Sequence, residues 1–139
     1  MPDFKKSFQE PVWKGGCGKD MRYHHIGIPT RIKRENEAYL GDFRLFVSGF
    51  DAGPYGVEWL RFEEDSPVPE LVKTVPHVAF VVSDLAAAIA GKEVLIAPNR
   101  PSEGVTVAFI VDDGAPIEFL QFDGPEYEIW PGTARFVPS

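Results

Sequence analysis

Val57-Glu58-Trp59-Leu60-Arg61-Phe62 and Ile117-Glu118-Phe119-Leu120-Gln121-Phe122 are the same phrase written twice, apolar and β-favouring with one carboxylate set into each. Side chains of a strand alternate between faces. Glu58 therefore shares its face with Leu60 and Phe62, and Glu118 shares its face with Leu120 and Phe122. A carboxylate on an apolar face is costly unless it is paired, hydrogen-bonded or bound to a metal. Upstream of each copy lies a second echo, His25-Ile26-Gly27-Ile28 and His77-Val78-Ala79-Phe80, a histidine opening a β-rich run. The order histidine then glutamate thus occurs twice, and such internal similarity decides the architecture before any local detail. The first copy of the interval is about eight residues shorter than the second.

Working outward, residues 1–21 are an arm rich in Gly, Pro and Lys, with Phe4, Phe8 and Trp13 as expected anchors. The first module spans 22–62. Its strands are expected at 22–30, 42–50 and 57–62, and the charged segment 31–40 has too poor an apolar spacing for a helix of more than one turn. Residues 63–74, acidic and broken by Pro67 and Pro69, form the linker. The second module, 75–122, is easier to read: a strand at 75–82, a helix capped by Ser83 or Asp84 and stopped by Gly91, a short strand at 94–97, a loop at 98–104, and strands at 105–111 and 115–122 joined by Asp112-Asp113-Gly114. The fold class is α+β, strand-helix-strand-strand-strand twice, with the first helix eroded. Residues 123–139 are a tail in which Tyr127, Ile129, Trp130 and Phe136 are available to pack.

Bulk properties narrow the partners. With 139 residues, 44% hydrophobic and 25% charged, the chain suits one soluble globular domain. A net charge of −7 with no basic cluster argues against nucleic acid or an anionic membrane surface. One cysteine, Cys17, permits no intrachain disulfide. Its setting, Gly15-Gly16-Cys17-Gly18-Lys19, lacks the spacing of a phosphate loop. The polar start carries no apolar leader segment, so the cytoplasm is the expected location.

Paired modules with a histidine on the first strand and a glutamate on the last resemble the vicinal oxygen chelate superfamily, which includes glyoxalase I, methylmalonyl-CoA epimerase, extradiol dioxygenases and bleomycin resistance proteins. The resemblance covers residues 22–122 and implies an incomplete barrel around a divalent metal. It implies His25, Glu58, His77 and Glu118 as the metal ligands, with Glu58 and Glu118 as the proton-moving groups. Two histidines with two glutamates is the glyoxalase I pattern; extradiol dioxygenases use one glutamate. Imidazole and carboxylate donors suit Zn, Ni, Co, Mn or Fe, zinc or nickel foremost, and no thiolate enters the set. The activity implied is lyase or isomerase chemistry on a small molecule with vicinal oxygens. The alternatives are an epimerase of acyl thioesters and a non-catalytic binding or resistance protein. A homodimer is expected, as in dimeric glyoxalase I.

Plainer readings stand beside these. A lone strand histidine ordinarily packs or faces solvent, and Glu58 and Glu118 as edge charges would discourage aggregation. Repetition at matched positions favours the site. His24, on the face opposite His25 by alternation, is expected to be structural or exposed. Tyr23, Tyr55, Leu60, Phe62 and Phe109 are expected to wall the pocket, and Arg44, Arg61 or Arg100 to hold an anionic group.

Overall fold

A computed structural model of the chain describes residues 20–130. The expected aromatic anchors of the arm, the segment around Cys17, and Phe136 lie outside the described residues. The strands are β1 (Arg22–Pro29), β2 (Ala38–Leu40), β3 (Leu45–Ser48), β4 (Val57–Phe62), β5 (His77–Val81), β6 (Glu93–Ser102), β7 (Val105–Asp112) and β8 (Ala115–Phe122). Short helices α1 (Glu70–Thr74), α2 (Leu85–Ile89) and α3 (Glu126–Ile129) accompany them. The strands form one strongly curled sheet, a half-barrel, in the order β2-β3-β4-β1-β5-β8-β7-β6. None of the described helices is long and apolar enough to cross a membrane.

The two halves meet at a seam where β1 runs antiparallel to β5. Each seam strand has the last strand of its own half beside it in parallel, β4 next to β1 and β8 next to β5. The duplication is carried into the register. Gly27 pairs with Glu58 in the first half, and Ala79 pairs with Glu118 in the second.

The second half buries both faces of its sheet. On the concave side Val105, Val107, Phe109, Leu120, Ala79 and Val72 form one cluster; on the convex side Ala108, Ile110 and Phe119 pack under Leu85 and Ala88 of α2. Asp84 caps that helix by accepting from the Ala87 amide at 3.1 Å, and Gly91 beyond it has φ +73°. This agrees with the cap and stop signals in the sequence.

The first half has no helix between β1 and β2. Segment 31–40 covers the convex face with charged side chains instead. Arg34 lies over the Trp59 ring at 4.9 Å, and Arg61 lies over Phe46 at 4.2 Å. Glu37 takes the Arg61 guanidinium by two hydrogen bonds of 2.8 Å. The arginine stems and planes shield aromatic surface that a helix would otherwise bury.

Three stretches differ from the sequence reading. The end of the linker is helical, as α1, whose Val72 is buried in the concave cluster. Strand β6 runs on through the residues expected as a loop, 98–102, with repeated register breaks against β7. It is an edge strand, where Pro98 and Pro101 cost no central ladder bond. Strand β3 is shorter than expected, and β2 takes three residues of the charged segment. The β7–β8 hairpin turns where expected, with Asp113 and Gly114 at φ 49° and 78°.

Gly27 sits opposite His77 across the seam, and a Cβ placed on it would lie 2.2 Å from His77 Cε1. His77 is 2% exposed, so its ring has nowhere to go. Gly27→Ala is expected to destabilise the fold by about 1–3 kcal/mol through overpacking, measured by denaturant unfolding. Unchanged stability would contradict this packing.

Candidate metal centre

The seam register places four polar side chains on the concave face. Reading across the sheet, one row runs Glu58, Gly27, His77, and the row two residues along runs His25, Ala79, Glu118. Each glutamate is thus separated from the other half's histidine by a residue with little or no side chain. The long polar side chains lean across these gaps and meet. His77 Nε2 is 3.0 Å from Glu118 Oε1, and His25 Nε2 is 3.2 Å from the same oxygen. The two imidazoles stand nearly perpendicular, 79°, with centroids 5.6 Å apart. His25, His77 and Glu118 each offer a ligand atom, all within 4.8 Å of one another, a His-His-Glu cluster able to hold a metal. Glu58 lies further out, its Oε1 3.9 Å from His25 Nε2 and its side chain 23% exposed.

The donor set fits a divalent ion. His25 Nε2 is buried and has no aligned hydrogen bond among the described residues, an orphan that a cation at the centre of the cluster would satisfy. Two ligand atoms about 2.1 Å from one ion stand roughly 3.0–3.4 Å apart, which matches the two short contacts of Glu118 Oε1. Burial, the largest influence on Glu118, works to raise its pKa, yet His25 and His77 together hold it well below the usual carboxylate range. Burial likewise opposes the charged form of His25, and Glu118 with Glu58 outweighs it, so the His25 pKa is raised. Glu58 goes the other way. Burial raises its pKa, His25 only partly offsets this, and the neighbouring Glu118 charge adds to the rise.

Compared with known proteins, the chain matches no family model and no curated protein. Solved structures do match. The hypothetical protein BH1468 from Bacillus halodurans C-125 superposes with TM-score 0.59 at 19% identity, covering 76% of this chain and 96% of that one. Methylmalonyl-CoA epimerase from Mycobacterium tuberculosis superposes with TM-score 0.50 at 15% identity, covering 86% of this chain and 97% of that one. The chain has the vicinal oxygen chelate fold.

In this vicinal oxygen chelate half-barrel the concave side encloses a cavity of about 280 Å³, walled mostly by apolar side chains such as Leu60, Phe62, Phe109 and Trp130, with His25, His77, Glu58 and Glu118 at its floor. Tyr23 and Tyr55 do not line it; the Tyr23 hydroxyl donates to the Tyr55 carbonyl, and Tyr55 is 76% exposed. None of the three arginines singled out in the sequence reaches it either. Arg44 pairs with Asp65, Arg61 with Glu37 and Arg100 with Asp123. Composition cannot reveal such pairings.

His24 also departs from expectation. The register of β1 against β5 slips between Tyr23 and His25, so His24 is the extra residue of a β-bulge and alternation fails there. It is 1% exposed, lines the cavity, and its Nδ1 is 2.7 Å from His25 Nδ1. Glu126 of α3, which sequence reasoning missed, approaches His24 Nε2 at 3.1 Å. It belongs to no repeat and carries no motif.

The linked protonation states set a pH signature for metal-free protein. Glu118 adds stability that is lost as pH falls below its ordinary value of 4.5. His25 adds stability that is complete below 6.5 and lost as pH rises through its elevated folded value. Glu58, pushed upward, costs stability once pH exceeds 4.5. The melting temperature of chelator-treated protein is expected to peak between these limits and decline toward alkaline pH, with Glu58→Gln flattening the decline. A rise from pH 6.5 upward would contradict the pairing.

Proposed function

We propose that this chain is a divalent-metal enzyme of the glyoxalase I type, acting by proton transfer on a small molecule that carries adjacent oxygens. The observation that carries the reading is the convergence of His25 Nε2, His77 Nε2 and Glu118 Oε1 at the floor of an apolar cavity, with Glu58 beside them. His25, His77 and Glu118 would hold the ion, and Glu58 would complete the set. When bound, a divalent ion supplies electrostatic stabilisation for negative charge developing on paired substrate oxygens.

The protein's own groups divide the remaining work. Glu118, clamped between two imidazoles and strongly biased to its ionised form, is a fixed ligand. Glu58 is the more basic carboxylate and lies at the edge of the cluster, so its carboxylate oxygens are suited to accept a proton from carbon and return it. The apolar walls exclude water and strengthen these electrostatic effects. A three-ligand dioxygenase arrangement leaves one side open, whereas here the half-buried Glu58 carboxylate stands beside the three-residue cluster, which favours proton chemistry.

Cavity size and lining point to a compact, largely apolar ligand. No lysine or arginine lines the cavity among the described residues, so the carboxylates of a glutathione adduct have no anchor inside it. Epimerisation of an acyl thioester is the second reading, favoured by the fold shared with methylmalonyl-CoA epimerase. Three of the four proposed ligands, His25, His77 and Glu118, come together within one chain with Glu58 beside them, so the homodimer remains part of the proposal without being needed to assemble that cluster.

Metal analysis after purification with added zinc or nickel is expected to give about one ion per chain, lost in His25→Ala and His77→Ala and reduced at least tenfold in affinity in Glu118→Gln. Glu58→Gln is expected to retain the ion while losing solvent-deuterium incorporation into α-hydroxyketones, hemithioacetals or acyl thioesters by a factor of about 10²–10⁴. Equal metal content in all variants would remove the assignment. Metal binding without exchange in any substrate class would favour a binding protein.

A further inference from the structure

We propose that Glu126 and His24 are positioning residues, forming a hydrogen-bonded chain behind His25 that fixes which nitrogen of His25 faces the metal centre. Its use in metal binding rests on the reading of His25 as a ligand; the fixed tautomer does not.

Two buried imidazoles joined Nδ1 to Nδ1 at 2.7 Å must share one proton between those atoms, so one ring donates and the other accepts. The other end of His24 decides the direction. Its Nε2 is 3.1 Å from Glu126 Oε1, and Glu126 is itself only 7% exposed. A carboxylate can only accept. A bare His24 nitrogen there would set lone pair against lone pair, whereas Nε2–H faces the carboxylate favourably. Among the described residues neither His24 Nε2 nor either Glu126 oxygen has an aligned hydrogen-bond partner, so the 3.1 Å approach is a close contact that a proton on Nε2 would use, and no other described group competes for the carboxylate.

With its proton on Nε2, neutral His24 has a bare Nδ1, which accepts from His25 Nδ1–H. Neutral His25 is then left with its lone pair on Nε2, the atom that points at His77 and Glu118. Orientation of a ligating imidazole through its remote N–H is a recognised way of raising metal affinity. His24 can serve because its ring is held. It stacks on Phe50 at 4.9 Å and 20°, and Trp130 flanks it at 6.1 Å.

The chain is not duplicated. Pro76 precedes His77 where His24 precedes His25, and His77 Nδ1 is buried without a hydrogen-bond partner among the described residues. The first bulged residue of β1 and a helix outside both modules therefore add to one half what the repeat did not supply.

The test is ¹⁵N NMR of the imidazole nitrogens in metal-free, full-length protein in mildly alkaline buffer, which separates protonated from bare ring nitrogens. Expected are His25 protonated on Nδ1 and bare on Nε2, with His24 the reverse. His25 found with its proton on Nε2 and a bare Nδ1 overturns the proposal. Glu126→Gln keeps the shape but can present an amide donor as readily as an acceptor. It is expected to leave the melting temperature nearly unchanged, to give mixed tautomers at both rings, and to weaken zinc binding by about 10–100-fold. Wild-type tautomers persisting in Glu126→Gln would also overturn it. The predicted tautomers in a protein that binds no zinc would sink the metal reading and leave the chain standing.

Discussion

The seam between β1 and β5 is the constraint on which everything else rests. Antiparallel pairing centred on Ile26 and Val78 sets Gly27 against His77 and Ala79 against His25. Each imidazole lies over a residue with almost no side chain, and that space lets it reach its neighbours on the concave face. A shift of one residue in either strand would send that strand's histidine to the convex side. The parallel strands β4 and β8 inherit this register and carry Glu58 and Glu118 alongside.

A consequence is that the site is approximately symmetric in backbone and unsymmetric in chemistry. Glu118 sits between both histidines and is held ionised, while Glu58 stands apart with its proton affinity raised by burial. On the proposed reading one duplicated carboxylate would serve fixed ligation and the other proton exchange, the separation of roles that acid–base chemistry needs. His24 and Glu126 deepen the asymmetry by supporting only His25. A duplicated scaffold has been individualised by a bulge and a tail.

Much of this was legible in the sequence because duplication repeats both spacing and chemistry. The twin phrases ending in Phe62 and Phe122 marked β4 at its observed limits and the end of β8, whose start follows from the Asp112-Asp113-Gly114 turn, and the matched histidines pointed to the seam. What was not legible has identifiable causes. His24 was misplaced because alternation assumes an unbroken ladder and β1 bulges there. The convex face of the first half relies on Arg34 and Arg61 over aromatic rings, a device without periodicity. Arg44 and Arg100 read as candidates to hold an anionic group in the pocket, and their carboxylate partners, 21 and 23 residues away, leave no local signal of the pairing. Glu126 had no echo to mark it.

The central claim is that two halves of one chain bring imidazole and carboxylate groups to a single cation-binding point. Anomalous diffraction from crystals grown with zinc, recorded on both sides of the zinc absorption edge, tests it most directly. The account predicts one strong peak per chain, within coordination distance of His25 Nε2, His77 Nε2 and a Glu118 oxygen. A peak elsewhere on the surface with that cluster empty, its imidazoles turned to other partners, would contradict it.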